Sequence, residues 1–342
     1  IRVWNGTPDA LLLKAAELTR TGIGLPAYYN DEVIIPALMS RGVTLEDARR
    51  YNIIGCVEPQ CSGKTDGWHD AAFFNMCRPL ELVFTNVVDR GVQVGPRTGE
   101  IQELDTFEKF FAAYQRQQSY FIELMVNADN AIDYAHATRC PLPFLSTMIE
   151  DCIGSGKTVQ EGGSVYNFTG PQGFGISNNA DGLYAIRRLV YEEKSVTLRE
   201  YAEALRDNFG KPYPQDMLYT VALQRAEDLR RAGRKVSESD IASFIKAGMT
   251  GTTDKARADR YQKLLDKIAA LPKFGNDLDE IDTLAREVAY TYTRPLQQYR
   301  NPRGGRYQAG LYPVSANVPL GQQTGATPDG RLAYTPVADG VS

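Results

Sequence analysis

The stretch IIGCVEPQCSGKTDGWHD, residues 53–70, decides how this chain is read. It holds two of the five cysteines, one of the two histidines and three acidic residues. Glu58 stands two positions after Cys56, and Pro59 follows at once; Pro59 and Gly63 keep the segment from being a helix. NIIG reads as a brief strand that delivers Cys56 to a turn. In extended chain, residues i and i+2 point to the same side, so Cys56 and Glu58 are placed to face one small cavity.

Four chemistries compete for this pattern. A free cysteine serves in many folds as a small buried hydrophobe, and that reading covers Cys61, Cys77, Cys140 and Cys152. A zinc site would draw on Cys56, Cys61, His69 and Cys77, but no paired C-x2-C exists and the gaps fit no compact zinc ribbon. A cysteine hydrolase would need a thiolate at Cys56 with His69 or His136 as base, and Glu58 opposes that thiolate by like-charge repulsion. Radical chemistry uses the neutral thiol. A thiol that has lost a hydrogen atom takes hydrogen from a carbon bearing a hydroxyl, while a nearby carboxylate accepts the hydroxyl proton and helps expel a leaving group on the next carbon. GCVEP supplies that pairing.

Outward from this stretch, the 342 residues are 43 % hydrophobic and 23 % charged, with a formal net charge of -4. Those values suit a globular protein and give no basic surface for nucleic acid or an anionic membrane. No apolar run reaches the roughly 18–20 residues of a membrane span. Five cysteines at low density argue against a disulfide framework and for a reducing cytoplasm. The chain opens on IRVWN, a strand already under way, and stops at TPVADGVS, so it reads as a segment of a longer protein.

The element pattern is α/β. NGTPDALLLKAAELTRTGIG predicts a first helix with Thr7 as cap, Pro8 at its first position, a buried face of Leu11, Leu12, Ala15, Ala16 and Leu18, and Gly22 as its stop. Residues 43–52 predict a short helix capped by Thr44. WHDAAFFNMCRPLELVFTNVVDRG reads as one buried helix in which Arg78 and Glu81, three apart, pair with each other. Residues 106–139 carry the longest helical periodicity, capped by Thr106 and ended by Pro141 and Pro143. Residues 161–182 read as irregular with one short strand, Asn167 and Gln172 being hydrogen-bonding loop residues. A helix follows, packed by Leu183, Ile186, Leu189 and Val190. Residues 211–257 are charged and weakly amphipathic, a helical excursion on the surface. GLYPVSANVPLG suggests a strand and then a loop.

As a set, these phrases resemble the glycyl radical enzymes, in the glycerol and 1,2-propanediol dehydratase branch of the pyruvate formate-lyase-like proteins. The resemblance rests on GCVEPQ followed by GKTDGWHDAAFFN, on IGLPAYYNDEVIIPAL (23–38), YNFTGPQGFG (166–175), PKFGND (272–277), NPRGGRYQAGLYP (301–313) and TGATPDGR (324–331). It implies a ten-stranded α/β barrel of two five-stranded halves wrapped by helices. This chain would supply the second half-barrel, with the cysteine loop at 53–70 inside. Cys56 would carry the thiyl radical, Glu58 would be the acid/base residue and Asp70 would bind a substrate hydroxyl. His69 would orient Asp70, pack beside it or touch substrate; Tyr312 and Ser315 would line the pocket. No metal and no directly bound cofactor is implied. The glycyl radical would sit on a glycine outside this chain, installed by an activating enzyme with an iron–sulfur cluster and S-adenosylmethionine. By the same resemblance the N-terminal half and the radical-bearing C-terminal domain would lie outside this sequence, and 211–257 reads as an insertion.

The implied reaction is elimination of water from a small vicinal diol to give an aldehyde. The alternatives are C–S or C–N lyase action on isethionate, dihydroxypropanesulfonate or choline, or an inactive scaffold. WHDAAFF argues against a trimethylammonium pocket, and LYPVSANVP offers no arginine for a sulfonate. Implied partners are the activating enzyme, a second copy of the chain in a homodimer and a microcompartment shell, in the cytoplasm.

Overall fold

The computed structural model describes residues 1–23, 25–55, 57–89, 91–231, 233–311 and 314–339, so Cys56 and Tyr312 lie outside the described residues. The chain forms two compact units, one from residues 1–71, 129–170 and 298–308, the other from 72–128, 171–297 and 309–342.

In the first unit, Tyr51–Ile54 and Glu58–Cys61 form an antiparallel hairpin, with Ile54 opposite Glu58 and Tyr51 opposite Cys61. Gly55 takes φ +60° at its turn, a conformation that suits glycine. A three-stranded parallel sheet follows, in the order Arg306–Tyr307, Tyr166–Thr169, Thr65–Asp66. Leu38, Val43, Ala48, Tyr51, Cys61 and Phe168 make the apolar core beneath the hairpin. The short helix Leu45–Arg49 is capped as expected, Thr44 accepting the Asp47 N–H at 3.2 Å. Asp47 then ties the turn at 61–65 to the sheet by accepting from Lys64 Nζ at 2.9 Å and from the Tyr166 hydroxyl at 2.7 Å. Those two hydrogen bonds, Lys64 first, hold its carboxyl below the usual carboxylate range.

The first helix differs from its expectation. It runs Asp9–Thr19 with Pro8 at the cap position, while Thr7 Oγ1 accepts the Trp4 N–H instead. Of its expected buried face only Ala15 is buried; Leu11, Leu12 and Leu18 are exposed.

The second unit is mostly helical. Phe73–Asn75 pairs in parallel with Gln172–Phe174, so WHDAAFFNMCRPLELV is a strand and then a helix, Cys77–Val83, rather than one helix. A three-residue apolar strand carries no periodicity to distinguish it from a helix. Residues 161–182 likewise hold two strands, and the next helix starts at Ile176, four residues earlier than its apolar pattern suggests, passing into a π-helical turn at Arg187–Glu192. The long helix Phe107–Arg139 matches its periodicity, and Thr106 Oγ1 accepts the Lys109 N–H. Arg78 pairs with Glu81, and also with Asp89. The charged stretch holds helices at Leu218–Arg231 and Glu238–Thr250. A core cluster including Ala185, Leu189, Tyr201, Phe209, Leu264 and Ile268 holds the unit together. Near the C-terminus Gly310 makes only a single bridge to Gln172, and a helix, Asn317–Gly321, stands where a loop was expected.

Among the described residues no sheet exceeds three strands and none closes on itself. No described helix is long and apolar enough to cross a membrane.

Candidate active site

Glu58 opens the second strand of the hairpin and is only 2 % exposed. Its Oε2 accepts the Val57 N–H at 2.8 Å. Val57 lies in the turn, so extended chain begins at Glu58 and not before it. Cys56, the other half of the expected pair, is outside the described residues. A Cβ on Gly55 would stand 2.8 Å from Glu58 Oε2, so glycine there both makes the turn and leaves room for the carboxylate.

Four residues beyond the strand end at Asp66 comes Asp70, with His69 just before it. Trp68 takes φ +23°, a strained value for a bulky residue, and its ring meets His136 edge-on at 5.7 Å. The Trp68 carbonyl accepts the Gly170 N–H at 3.0 Å. His69 is buried in a cleft kept open by two glycines: a Cβ on Gly67 would overlap its Nε2, and one on Gly170 would press on its Cα and Nδ1. Burial drives the His69 pKa down to about 4; the Arg303 charge adds to this and the Glu58 carboxylate opposes it. The imidazole is therefore neutral at pH 7, able to accept a hydrogen bond on one nitrogen and donate from the other.

Glu58, His69 and Asp70 line one cavity of about 380 Å³, walled on its apolar side by Leu145, Ile149 and Val159. Asp70 is the exposed member. Ser315 belongs to the second unit, where it is exposed in the turn before Asn317–Gly321; Tyr312 is outside the described residues. Asn167 is a hydrogen-bonding residue as expected, accepting from Ser164 Oγ at 2.6 Å, but it sits in a strand rather than a loop. Cys61, Cys77 and Cys152 are buried and Cys140 is exposed, which corrects the buried reading for Cys140. Among the described residues no three His, Cys, Asp or Glu side chains cluster as metal ligands would. Two larger clefts, about 550 and 1210 Å³, belong to the second unit and are lined largely by charged and polar surface side chains. The smaller cavity brings a buried carboxylate and a neutral imidazole together.

The scaffold under this site was not singled out from sequence. Arg303, within the NPRGGR phrase, is buried against Asp66 and Asp133. Gly305 lies so close to the sheet that a Cβ would overlap the Asn167 carbonyl oxygen. A basic residue wedged between turn formers was the available signal.

The hairpin thus presents a buried carboxylate, and the loop after the parallel strand Thr65–Asp66 carries the histidine and the aspartate. The chain belongs to the pyruvate formate lyase-like family, whose model matches residues 1–321. A solved structure from Roseburia inulinivorans, described under 1,2-propanediol dehydration, is 61 % identical with a TM-score of 0.91, covering 99 % of this chain and 40 % of that one. The glycerol-bound B12-independent glycerol dehydratase of Clostridium butyricum is 47 % identical with a TM-score of 0.81, covering 99 % and 37 %. The (2S)-3-sulfopropanediol dehydratase of Klebsiella oxytoca is 33 % identical over 343 residues, 100 % of this chain and 36 % of the relative. The chain thus spans well under half the length of these relatives.

Proposed function

We propose that this chain is part of the catalytic barrel of a glycyl radical dehydratase that removes water from a small vicinal diol, glycerol or 1,2-propanediol, to give an aldehyde. The observation that carries the reading is Glu58, a carboxylate 2 % exposed, two residues from Cys56 and in one cavity with a neutral His69. Likeness to the Roseburia and Clostridium structures supports the substrate class. The short parallel strands are read as part of a ten-stranded barrel completed by the rest of the parent protein, with 211–257 as a surface addition.

The radical cofactor, a glycyl radical on a residue outside this chain, supplies the one-electron oxidation that makes a thiyl of Cys56. Glu58 fits that chemistry, because a buried carboxylate beside a neutral thiol is an acid/base group that does not force a thiolate. Cys56 takes a hydrogen atom from C1 of the diol. Glu58 accepts the C1 hydroxyl proton and returns it to the departing C2 hydroxyl, which leaves as water. The product radical regains its hydrogen atom from Cys56, so the aldehyde forms with no net change in the residues. Asp70 anchors a substrate hydroxyl by a charge-assisted hydrogen bond. The reading brings with it an iron–sulfur, S-adenosylmethionine-dependent activating enzyme, a homodimer, and a cytoplasmic setting with a microcompartment shell.

The test uses the full-length parent, activated anaerobically and offered 1,2-propanediol, glycerol, isethionate and choline. Aldehyde from a diol is expected, lost in Cys56→Ala and reduced about 10²–10⁴-fold in Glu58→Gln. Sulfite or trimethylamine as product would overturn the dehydratase reading.

A further inference from the structure

We propose that Arg303 is a positioning residue for this site, gripping the two strands from which the His69 cleft is built and so fixing where His69 and Asp70 project. Its activity readout rests on the proposed function; its structural readout does not.

The Arg303 side chain is 2 % exposed. Nε donates to Asp133 Oδ2 at 3.0 Å. One terminal nitrogen donates to the Asp66 carbonyl at 2.9 Å and to Asp66 Oδ2 at 2.8 Å. The other donates to the Phe168 carbonyl at 2.6 Å and to Thr169 Oγ1 at 3.2 Å. A guanidinium has five N–H donors, and these five bonds use them all. Arg303 therefore has no donor left for a substrate and acts through what it holds.

What it holds lies immediately before the cleft on both strands. Asp66 is followed by Gly67, Trp68 and His69, and Thr169 is followed by Gly170, whose N–H closes on the Trp68 carbonyl and whose Cα faces His69. The turn that carries Arg303 is itself fixed. Asn301 Nδ2 donates to the Asn167 carbonyl at 3.2 Å and Thr169 Oγ1 at 2.9 Å, while its Oδ1 accepts the Gly305 N–H at 2.8 Å. Lysine, with a point charge and no planar fork, cannot reproduce five bonds to four residues. The guanidinium also acts on His69 through its charge, against Glu58 from the hairpin. Asp66 and Asp70 flank on its own segment, Asp133 lies behind Arg303, and His136 faces the neighbouring Trp68.

The experiment compares wild type, Arg303→Lys and Arg303→Gln in the full-length parent. Histidine C2–H exchange followed by mass spectrometry gives the His69 titration midpoint without radical activation, and steady-state kinetics on the diol follows activation. Arg303→Gln removes the charge, so the His69 midpoint is expected to rise. Arg303→Lys keeps the charge and a low midpoint but cannot make all five bonds, so KM for the diol is expected to rise at least tenfold and thermal stability to fall. A wild-type His69 midpoint in folded Arg303→Gln, or wild-type kcat and KM in Arg303→Lys, overturns the proposal. If either variant fails to fold, Asp133→Asn, which turns one of the two carboxylates facing Arg303 into a neutral amide, is read by kinetics alone: a raised KM supports the role, and wild-type kcat and KM overturn it. A wild type that turns over no diol defeats the functional reading, while the His69 midpoint still decides the role of Arg303.

Discussion

Around Glu58 and His69 the first unit packs polar side chains against backbone, with Gly55, Gly67 and Gly170 standing where any Cβ would intrude. In the second unit the helices Ile176–Ile186 and Asp279–Leu296 bury Leu183, Ile186, Ile281 and Val288, and glycines play little part in that interface. The first arrangement depends on the absence of atoms at a few positions and on five hydrogen bonds from one guanidinium. The second depends on summed apolar area. A site that must hold a carboxylate and an imidazole in fixed places needs directional bonds, whereas a supporting layer needs only volume filled to density.

That contrast can be broken most forcefully at Gly305. Gly305→Ala in the full-length parent is expected to abolish folding or to cost more than about 4 kcal/mol, because the new methyl meets backbone rather than a movable side chain. Soluble yield and urea unfolding measure it; a normal midpoint would show that the sheet can yield. In the second unit, Ile186→Ala should cost about 2–5 kcal/mol by leaving a cavity at a fully buried position. The kcat of the activated enzyme should stay near wild type, and a selective kcat loss would mean that the helical layer does more than fill space.

The pH dependence sharpens the comparison further. The His69 pKa falls from 6.5 to about 4 in the folded chain. An unfolded chain therefore binds a proton as pH drops through 6.5, while the folded one does not until near 4. Stability from this residue is complete above about pH 6.5 and is lost toward pH 4, by roughly 3 kcal/mol. Urea unfolding at pH 7 and pH 4.5 should show a smaller acid loss in His69→Gln than in wild type; equal losses would remove the cleft's burial of His69 as the cause. The smallest effect is expected at Gly304, beside Gly305. It takes φ +85° with nothing within 4 Å, so Gly304→Ala should cost only the backbone strain, about 1–2 kcal/mol.

Legibility followed length and locality. Residues 107–139 were readable because aromatic and aliphatic residues recur over nine turns, and the Thr44 cap because its partner is three residues away. Strands of two to four residues were not, since so few positions cannot display alternation. The first helix was misjudged because an apolar pattern records what could be buried and not what covers it. Glu58, His69 and Asp70 were found as a linear motif, and the structure brings those three to one cavity. Arg303 escaped because its partners stand 134 to 237 positions away, and no spacing rule reaches that far.

Those separations also set an order in time. The first unit is assembled from three stretches of chain interrupted by most of the second. A ribosome working at about 5–20 residues per second leaves Asp66 waiting roughly 10–50 s before Arg303, 237 residues later, has been made. Through that interval the strand leading to His69 has neither its anchor nor the edge strand Arg306–Tyr307 beside Tyr166–Thr169. The cavity around Glu58 and His69 is thus a late event in the life of the nascent chain, and the young polypeptide carries an open sheet edge that chaperones would have reason to shield.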